Sequence, residues 1–204
     1  MERASVMKTV IINGAYHTNG IVSTLVDEFV KGQRSVRPDV SVETVSLLDL
    51  KMEYCRACGT CSKTPADKDL GECVVEDSVG GVLRKMVDCD CLIFATPIYV
   101  SGPSARMKKF MERCLPIAAP SKGFPKGRVQ RQKTKKGLVI VSSGAPYPIN
   151  VWAGITSYPV KSLGRLCRFF GCRRVERIQC GGAESMPRAK ARFMKKAFDV
   201  GRRF

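Results

Sequence analysis

This 204-residue sequence has one histidine, one tryptophan, and only 18 acidic residues against 35 basic ones. It also lacks any apolar run of the roughly 18 residues that a membrane-spanning helix needs. Met1–Ser5 leads straight into a strand-like run, without the apolar stretch and small-residue cleavage site of a signal peptide. The expectation is a cytoplasmic protein with no membrane partner. Internal repeats are absent too, which argues against a solenoid or propeller. With His17 as the sole histidine, no second Cys/His pair exists to complete a mixed metal site. The shortage of acids leaves a formal net charge of +17. Such a balance implies attraction to nucleic acid, an anionic cofactor or an acidic protein. Seven of the basic residues lie between Lys122 and Lys136, where a plain solvated loop is an equal reading.

Cysteine, by contrast, is abundant. In a reducing compartment, clustered cysteines are more often metal ligands or redox groups than disulfides. Six of the ten, Cys89, Cys91, Cys114, Cys167, Cys172 and Cys180, are scattered through apolar or helical segments and read as small buried hydrophobes. The other four form Cys55-x-x-Cys58-x-x-Cys61, closed by Cys73 after an eleven-residue excursion. Thiolates are the preferred ligands of soft metals and iron–sulfur clusters. Four readings stand side by side: a 4Fe–4S cluster, structural zinc, free thiols, and a disulfide pair.

Along the chain, Met7–Asn13 is a continuous apolar run of the kind found in a strand covered on both faces. The turn-rich Asn13–Gly20 follows, and then Val22, Leu25, Val26, Phe29 and Val30 at helical spacing. Strand, glycine-containing loop and helix together aim backbone N–H groups at an anion, with Ser23 and Thr24 as added hydroxyl donors. Val40–Leu48 reads as a second strand, and Asp77 or Ser78 caps a helix reaching about Val87. A third strand, Cys91–Ala95, runs into the loop Thr96–Gly102, ahead of a helix with Met107, Phe110, Met111 and Cys114 on one face. Residues 116–136 read as a long mobile connection. A fourth strand, Gly137–Val141, leads into Ser142–Tyr147, ahead of a helix bearing Val160, Leu163, Leu166, Cys167 and Phe170. Arg174–Cys180 is expected as a fifth strand and Pro187–Arg203 as a terminal basic helix.

This alternation predicts an α/β fold, doubly wound, with a parallel sheet and helices on both faces. Ligands of such sheets bind beyond the carboxyl ends of the strands, where strand order reverses. The loops after strands one, three and four are expected to meet there.

Asn13-Gly14 with Asn19-Gly20, the four-cysteine loop closed by Gly71-Glu72-Cys73, and Thr96-Pro97-Ile98-Tyr99 followed by Ser104, Met107, Lys108, Phe110 and Arg113 resemble the flavodoxin-like NAD(P)H-dependent FMN reductase superfamily. The cysteines point to its iron–sulfur flavoprotein branch. The resemblance implies a five-stranded flavodoxin-like sheet in a single FMN-binding domain spanning 1–204. A cysteine-rich loop occupies 52–75 and a basic connecting loop 116–136. Non-covalent FMN and a homodimer or homotetramer with flavins at subunit interfaces are also implied. By position, Gly14, His17, Thr18, Asn19, Gly20 and Ser23 hold the FMN phosphate. Thr96, Pro97, Ile98, Tyr99 and Gly102 lie along the isoalloxazine ring, and Ser143, Gly144, Ala145 and Tyr147 close its far side. Cys55, Cys58, Cys61 and Cys73 carry a 4Fe–4S cluster.

Two features depart from the family pattern. Ala15-Tyr16-His17 stands where Ser-Pro-Arg is usual, so phosphate contact falls to backbone amides, Thr18, Ser23 or His17. The interval from Cys61 to Cys73 is also longer than the branch's compact spacing. The activity implied is electron transfer through FMN between NAD(P)H or an acidic ferredoxin and a small-molecule or quinone-type acceptor. No acid or base residue is assigned, because the redox chemistry belongs to the cofactor. The rival reading is a zinc-stabilised, basic nucleic-acid-binding module using the Lys122–Lys136 run; only Phe124 there can stack on a base.

Overall fold

A computed structural model of the chain describes residues 6–119, 126–129 and 134–204. The elements run β1 (Lys8–Asn13), α1 (Ile21–Val36), β2 (Ser41–Ser46), α2 (Thr60–Lys63), α3 (Val79–Asp88), β3 (Cys91–Tyr99), β4 (Gly102–Pro103) and α4 (Ala105–Arg113). A single 3-10 turn at Leu115–Ile117 leads to β5 (Ala118–Ala119) and β6 (Lys126–Gly127). The chain ends with β7 (Lys135–Ser143), α5 (Ile149–Trp152), α6 (Ser157–Phe169), β8 (Cys172–Gly181) and α7 (Pro187–Gly201).

Five parallel strands lie in the order β2-β1-β3-β7-β8, with β4 folded back antiparallel on β3. Successive side chains of a strand point to opposite faces, so each central strand feeds two cores. Val10, Ile12, Leu92, Phe94, Val139 and Val141 pack with α3, α4 and α6. Ile11, Ile93, Leu138 and Ile140 pack with α1 and α7 on the other face. That is why these runs are apolar throughout instead of alternating.

The helices sit close. A Cβ on Gly32 would lie 2.0 Å from the carbonyl oxygen of Phe198, and one on Gly201 would lie 2.0 Å from that of Phe29. The two glycines thus let α1 and α7 touch backbone to backbone. Phe204 then packs edge-on against Phe29, with ring centroids 5.4 Å apart.

Three expectations need correction. Thr96–Tyr99 is strand, not loop: β3 continues through the pairing of Pro97 with Ser142 and then turns at Val100-Ser101. Both turn residues have positive φ, 49° and 58°, as a two-residue type I′ hairpin requires. The described parts of 116–136 are not a free connection, since β5 pairs with β6 and both Arg128 and Val129 are buried. Lys135 and Lys136 belong to β7. Lys122, Phe124, Arg131 and Lys133 fall outside the described residues.

Candidate cofactor cleft and thiol cavity

Strand order reverses between β1 and β3, and a cleft of about 270 Å³ opens at their carboxyl ends. Its walls are the loop after β1 and the start of α1 (Ala15, Tyr16, His17, Gly20, Ile21, Val22), the end of β3 (Pro97, Ile98, Tyr99), the end of β7 (Ser142, Ser143, Gly144), and Glu184. Helix α1 opens at Gly20 without a side-chain cap, leaving the N–H groups of its first turn for an anion. Tyr16 and Tyr99 lie side by side, centroids 6.0 Å apart and planes 32° apart, and both line the cleft.

Of the residues expected to contact FMN, His17, Gly20, Pro97, Ile98, Tyr99, Ser143 and Gly144 line this cleft. Gly14, Thr18, Asn19, Ser23, Thr96, Gly102, Ala145 and Tyr147 are not on its wall. The reasons are local. Ser23 spends its hydroxyl inside the loop, donating to the His17 carbonyl at 3.0 Å and accepting from Asn13 Nδ2 at 3.3 Å. Gly14 donates to the Ala95 carbonyl at 2.8 Å, and its own carbonyl accepts from Ser104. Thr96 is fully buried, donating to the Pro97 carbonyl and accepting from the Ser104 N–H. Gly102 pairs with Tyr99 across the hairpin. Ala145 accepts from Ser143 Oγ at 3.3 Å. Tyr147 turns to Phe193, edge-on at 5.8 Å, under the Arg192 guanidinium. These groups shape the loops from behind.

Glu184 was missed. It follows β8, whose carboxyl-end loop Gly181-Gly182-Ala183-Glu184-Ser185 carries glycines and a hydroxyl as the other loops of the cleft do. The topological rule, applied to every strand end, was the signal that could have found it.

Helix α4 joins this cleft to a second cavity. Its N-cap, Ser104, touches the loop after β1, and its last residue, Arg113, touches the cysteine loop. Nine helical residues rise roughly 13 Å, which sets the scale of their separation. The second cavity, of about 220 Å³, is lined by all four candidate ligands, Cys55, Cys58, Cys61 and Cys73. Ala57 and Gly59 both have positive φ, 51° and 71°, turning the chain twice so that three thiols reach one space.

The eleven-residue excursion closes on itself. Gly71 donates to the Pro116 carbonyl at 2.7 Å, and a Cβ there would come within 2.5 Å of the Cys61 carbonyl oxygen. Glu72 N–H donates to Thr64 Oγ1 at 2.9 Å. Buried Arg128 holds the excursion from within, donating to the carbonyls of Cys61 (3.1 Å), Thr64 (2.9 Å), Pro65 (2.5 Å), Lys68 (3.3 Å) and Pro116 (3.1 Å). The long interval therefore still delivers Cys73 beside Cys61.

The thiols are free, so the disulfide reading is not what the chain adopts. A hydrogen bond from Thr60 holds the exposed Cys58 thiol below its ordinary pKa. Burial, reinforced by the nearby Cys73, Cys55 and Cys58, pushes Cys61 up. Among the described residues, no three His, Cys, Asp or Glu side chains converge as they would around a single ion.

A family model described as NADPH-dependent FMN reductase matches residues 7–145. This chain belongs to the NADPH-dependent FMN reductase family. Within that family it is 34% identical over 159 residues to an iron–sulfur flavoprotein of Archaeoglobus fulgidus, covering 78% of this chain and 64% of the relative. It is 31% identical over 111 residues to an iron–sulfur flavoprotein of Methanocaldococcus jannaschii, covering 54% and 53%. The chain thus spans between half and two thirds of these relatives' length. The fold is shared with an NAD(P)H:quinone oxidoreductase from Methanothermobacter marburgensis, at TM-score 0.76, 17% identity, and 97% and 98% coverage. Membership in the FMN reductase family accounts for the flavodoxin-like sheet and for the placement of the cleft.

Proposed function

We propose that this chain is an FMN-dependent NAD(P)H oxidoreductase that also carries an iron–sulfur cluster on its cysteine loop. The observation that carries this reading is the cleft at the switch point, where the uncapped start of α1 meets two flat tyrosine rings. The residues present fit FMN. Backbone N–H groups at Ile21 and Val22 suit the phosphate, as does His17 beside them, since no side chain caps the helix. Tyr16 and Tyr99 offer aromatic surface to a planar ring, and Ser143 and Gly144 close the opposite wall. FMN, when bound, supplies hydride acceptance and one- or two-electron release. The protein would bind and orient it, with a small quinone-type molecule as the acceptor.

The donor set of the second cavity is four thiols on one wall system, chemistry that favours an iron–sulfur cluster or zinc. The kinship with iron–sulfur flavoproteins favours the cluster. Cys55, Cys58, Cys61 and Cys73 would be its ligands. An acidic ferredoxin-like donor suits the net charge of +17, and a second copy of the chain suits the exposed Tyr99, Val100, Ile149, Trp152 and Tyr158. A single FMN-binding unit covering 1–204 is part of the same reading. No helix among the described residues is long and apolar enough to cross a membrane.

Family membership argues against the nucleic-acid module, and so does the fate of the basic run. Arg128 and Lys135 are buried, and Lys136 Nζ donates to the Arg203 carbonyl at 2.5 Å.

The deciding experiment is anaerobic purification followed by flavin, iron, acid-labile sulfide and zinc analysis. One FMN per chain with stoichiometric iron and sulfide supports the proposal. A colourless protein that takes up no flavin ends it, and zinc in place of iron ends the cluster part alone.

A further inference from the structure

The cysteine loop is fastened at its neck by a buried ion pair. Arg113, at the end of α4, is 3% exposed. Its Nη1 donates to the Glu53 carbonyl at 2.9 Å and to Asp77 Oδ2 at 2.5 Å. Its Nη2 donates to Asp77 Oδ1 at 3.2 Å and reaches Cys73 Sγ at 3.9 Å. Asp77 in turn accepts from the N–H groups of Glu53, at 2.8 Å, and Val79, at 2.9 Å. One guanidinium therefore grips the entry of the loop, two residues before Cys55, together with its exit at Cys73 and Asp77.

An ion pair alone does not require arginine. Lysine is a point charge, whereas a planar fork can serve a carboxylate and a second acceptor at once. Here the second acceptor is a thiol on the wall of the four-cysteine cavity, which Arg113 also lines. We propose that Arg113 is the positioning residue of Cys73: it holds that sulfur on the wall of the cavity that Cys55, Cys58 and Cys61 also line, limiting the movement needed to bring four thiols around a metal. This deepens the cluster reading above and depends on it only for what fills the cavity.

The test uses the full chain in three forms: wild type, Arg113→Lys and Arg113→Met. Each is made metal-free with chelator under anaerobic conditions and alkylated with N-ethylmaleimide. Peptide mass spectrometry follows the Cys73 rate relative to that of the exposed Cys58, and the buried Cys114 monitors folding. A role confined to stability leaves that ratio unchanged. Arg113→Lys keeps the charge beside Asp77 but loses the arm that reaches sulfur, so the Cys73:Cys58 ratio should rise at least threefold with Cys114 still protected. Reconstitution of Arg113→Met with ferrous iron and sulfide should give less than half the wild-type iron per chain.

An unchanged ratio in Arg113→Lys, with Cys114 protected, overturns the proposal. Cys114 labelling in both variants overturns it too, in favour of a fold-only role. If the wild type takes up neither iron nor sulfide, the cluster reading fails, and the alkylation ratio still decides the part played by Arg113.

Discussion

The hydroxyl of Ser104 donates to the carbonyl of Gly14 at 2.7 Å, across ninety residues of sequence. The same oxygen accepts from the Met107 N–H at 3.2 Å and caps α4. One buried side chain thereby welds the loop after β1 to the turn after β3, the two walls between which the cleft opens.

Ser104→Ala removes both bonds at a fully buried site. Unfolding in urea should show a loss of about 1–3 kcal/mol. FMN titration by fluorescence quenching should show affinity weakened severalfold, since the two walls lose their link.

At Gly20 the sign of an effect separates helix capping from cofactor binding. A Cβ there meets only the His17 carbonyl at 3.6 Å and the His17 Cβ at 3.7 Å, so a side chain fits. Gly20→Asp should stabilise the flavin-free chain by about 0.5 kcal/mol through the helix dipole. It should weaken FMN at least about tenfold by opposing the phosphate. Riboflavin, which lacks the phosphate, should bind both forms alike.

The neck of the cysteine loop makes stability depend on pH. Burial alone pulls the Asp77 carboxyl upward, but the Arg113 hydrogen bond and the Glu53 and Val79 N–H groups outweigh it and hold it below its ordinary 3.8. A depressed carboxyl contributes stability that is present above pH 4 and lost as pH falls through the lower, folded value. Asp77→Asn should therefore cost about 3–5 kcal/mol at pH 7, because it strands a buried cation. The gap from wild type should narrow as denaturation midpoints are followed below pH 4.

Lys135 is a structural cation rather than a steering one. It is 6% exposed and donates to the Met86 carbonyl at 3.0 Å and to that of Val87, at the end of α3. Lys135→Ala should destabilise the fold by about 2–3 kcal/mol. The salt dependence of reduction by an acidic donor should stay unchanged, as stopped-flow kinetics would show.

Close helix contact gives the last test. Gly32→Ala places a methyl 2.0 Å from the Phe198 carbonyl oxygen, which backbone cannot yield without shifting α7. A thermal scan should show a loss of at least about 1–3 kcal/mol, with FMN affinity little changed because neither Gly32 nor any residue of α7 lines the cleft.

The fold class was legible because the central strands are apolar on both sides, a pattern that a sheet covered on both faces produces, whereas the strand order β2-β1-β3-β7-β8 came only from the structure. Met7–Asn13 and Gly137–Val141 show it within a residue or two of their true bounds. Thr96–Tyr99 was harder. Proline and threonine look like a turn, yet Pro97 is tolerated because β3 there pairs with β7 on one side and is leaving β1 on the other. The cleft was legible as three loops meeting. Which side chains face it was not, since Ser23 bonds to Asn13 and His17, and Thr96 to Pro97 and Ser104, instead of pointing outward.

Periodicity and residue type thus determined the doubly wound sheet and the thiol foursome, because each rests on local spacing. Only the tertiary structure decided which charges are spent inside: Arg113 at the loop's neck, Arg128 on five carbonyls, Lys135 under α3. A one-dimensional string cannot show what a guanidinium meets forty or sixty residues away. It is those distant carbonyls and carboxylates, desolvated with it, that turn a basic residue from a surface charge into a fastening.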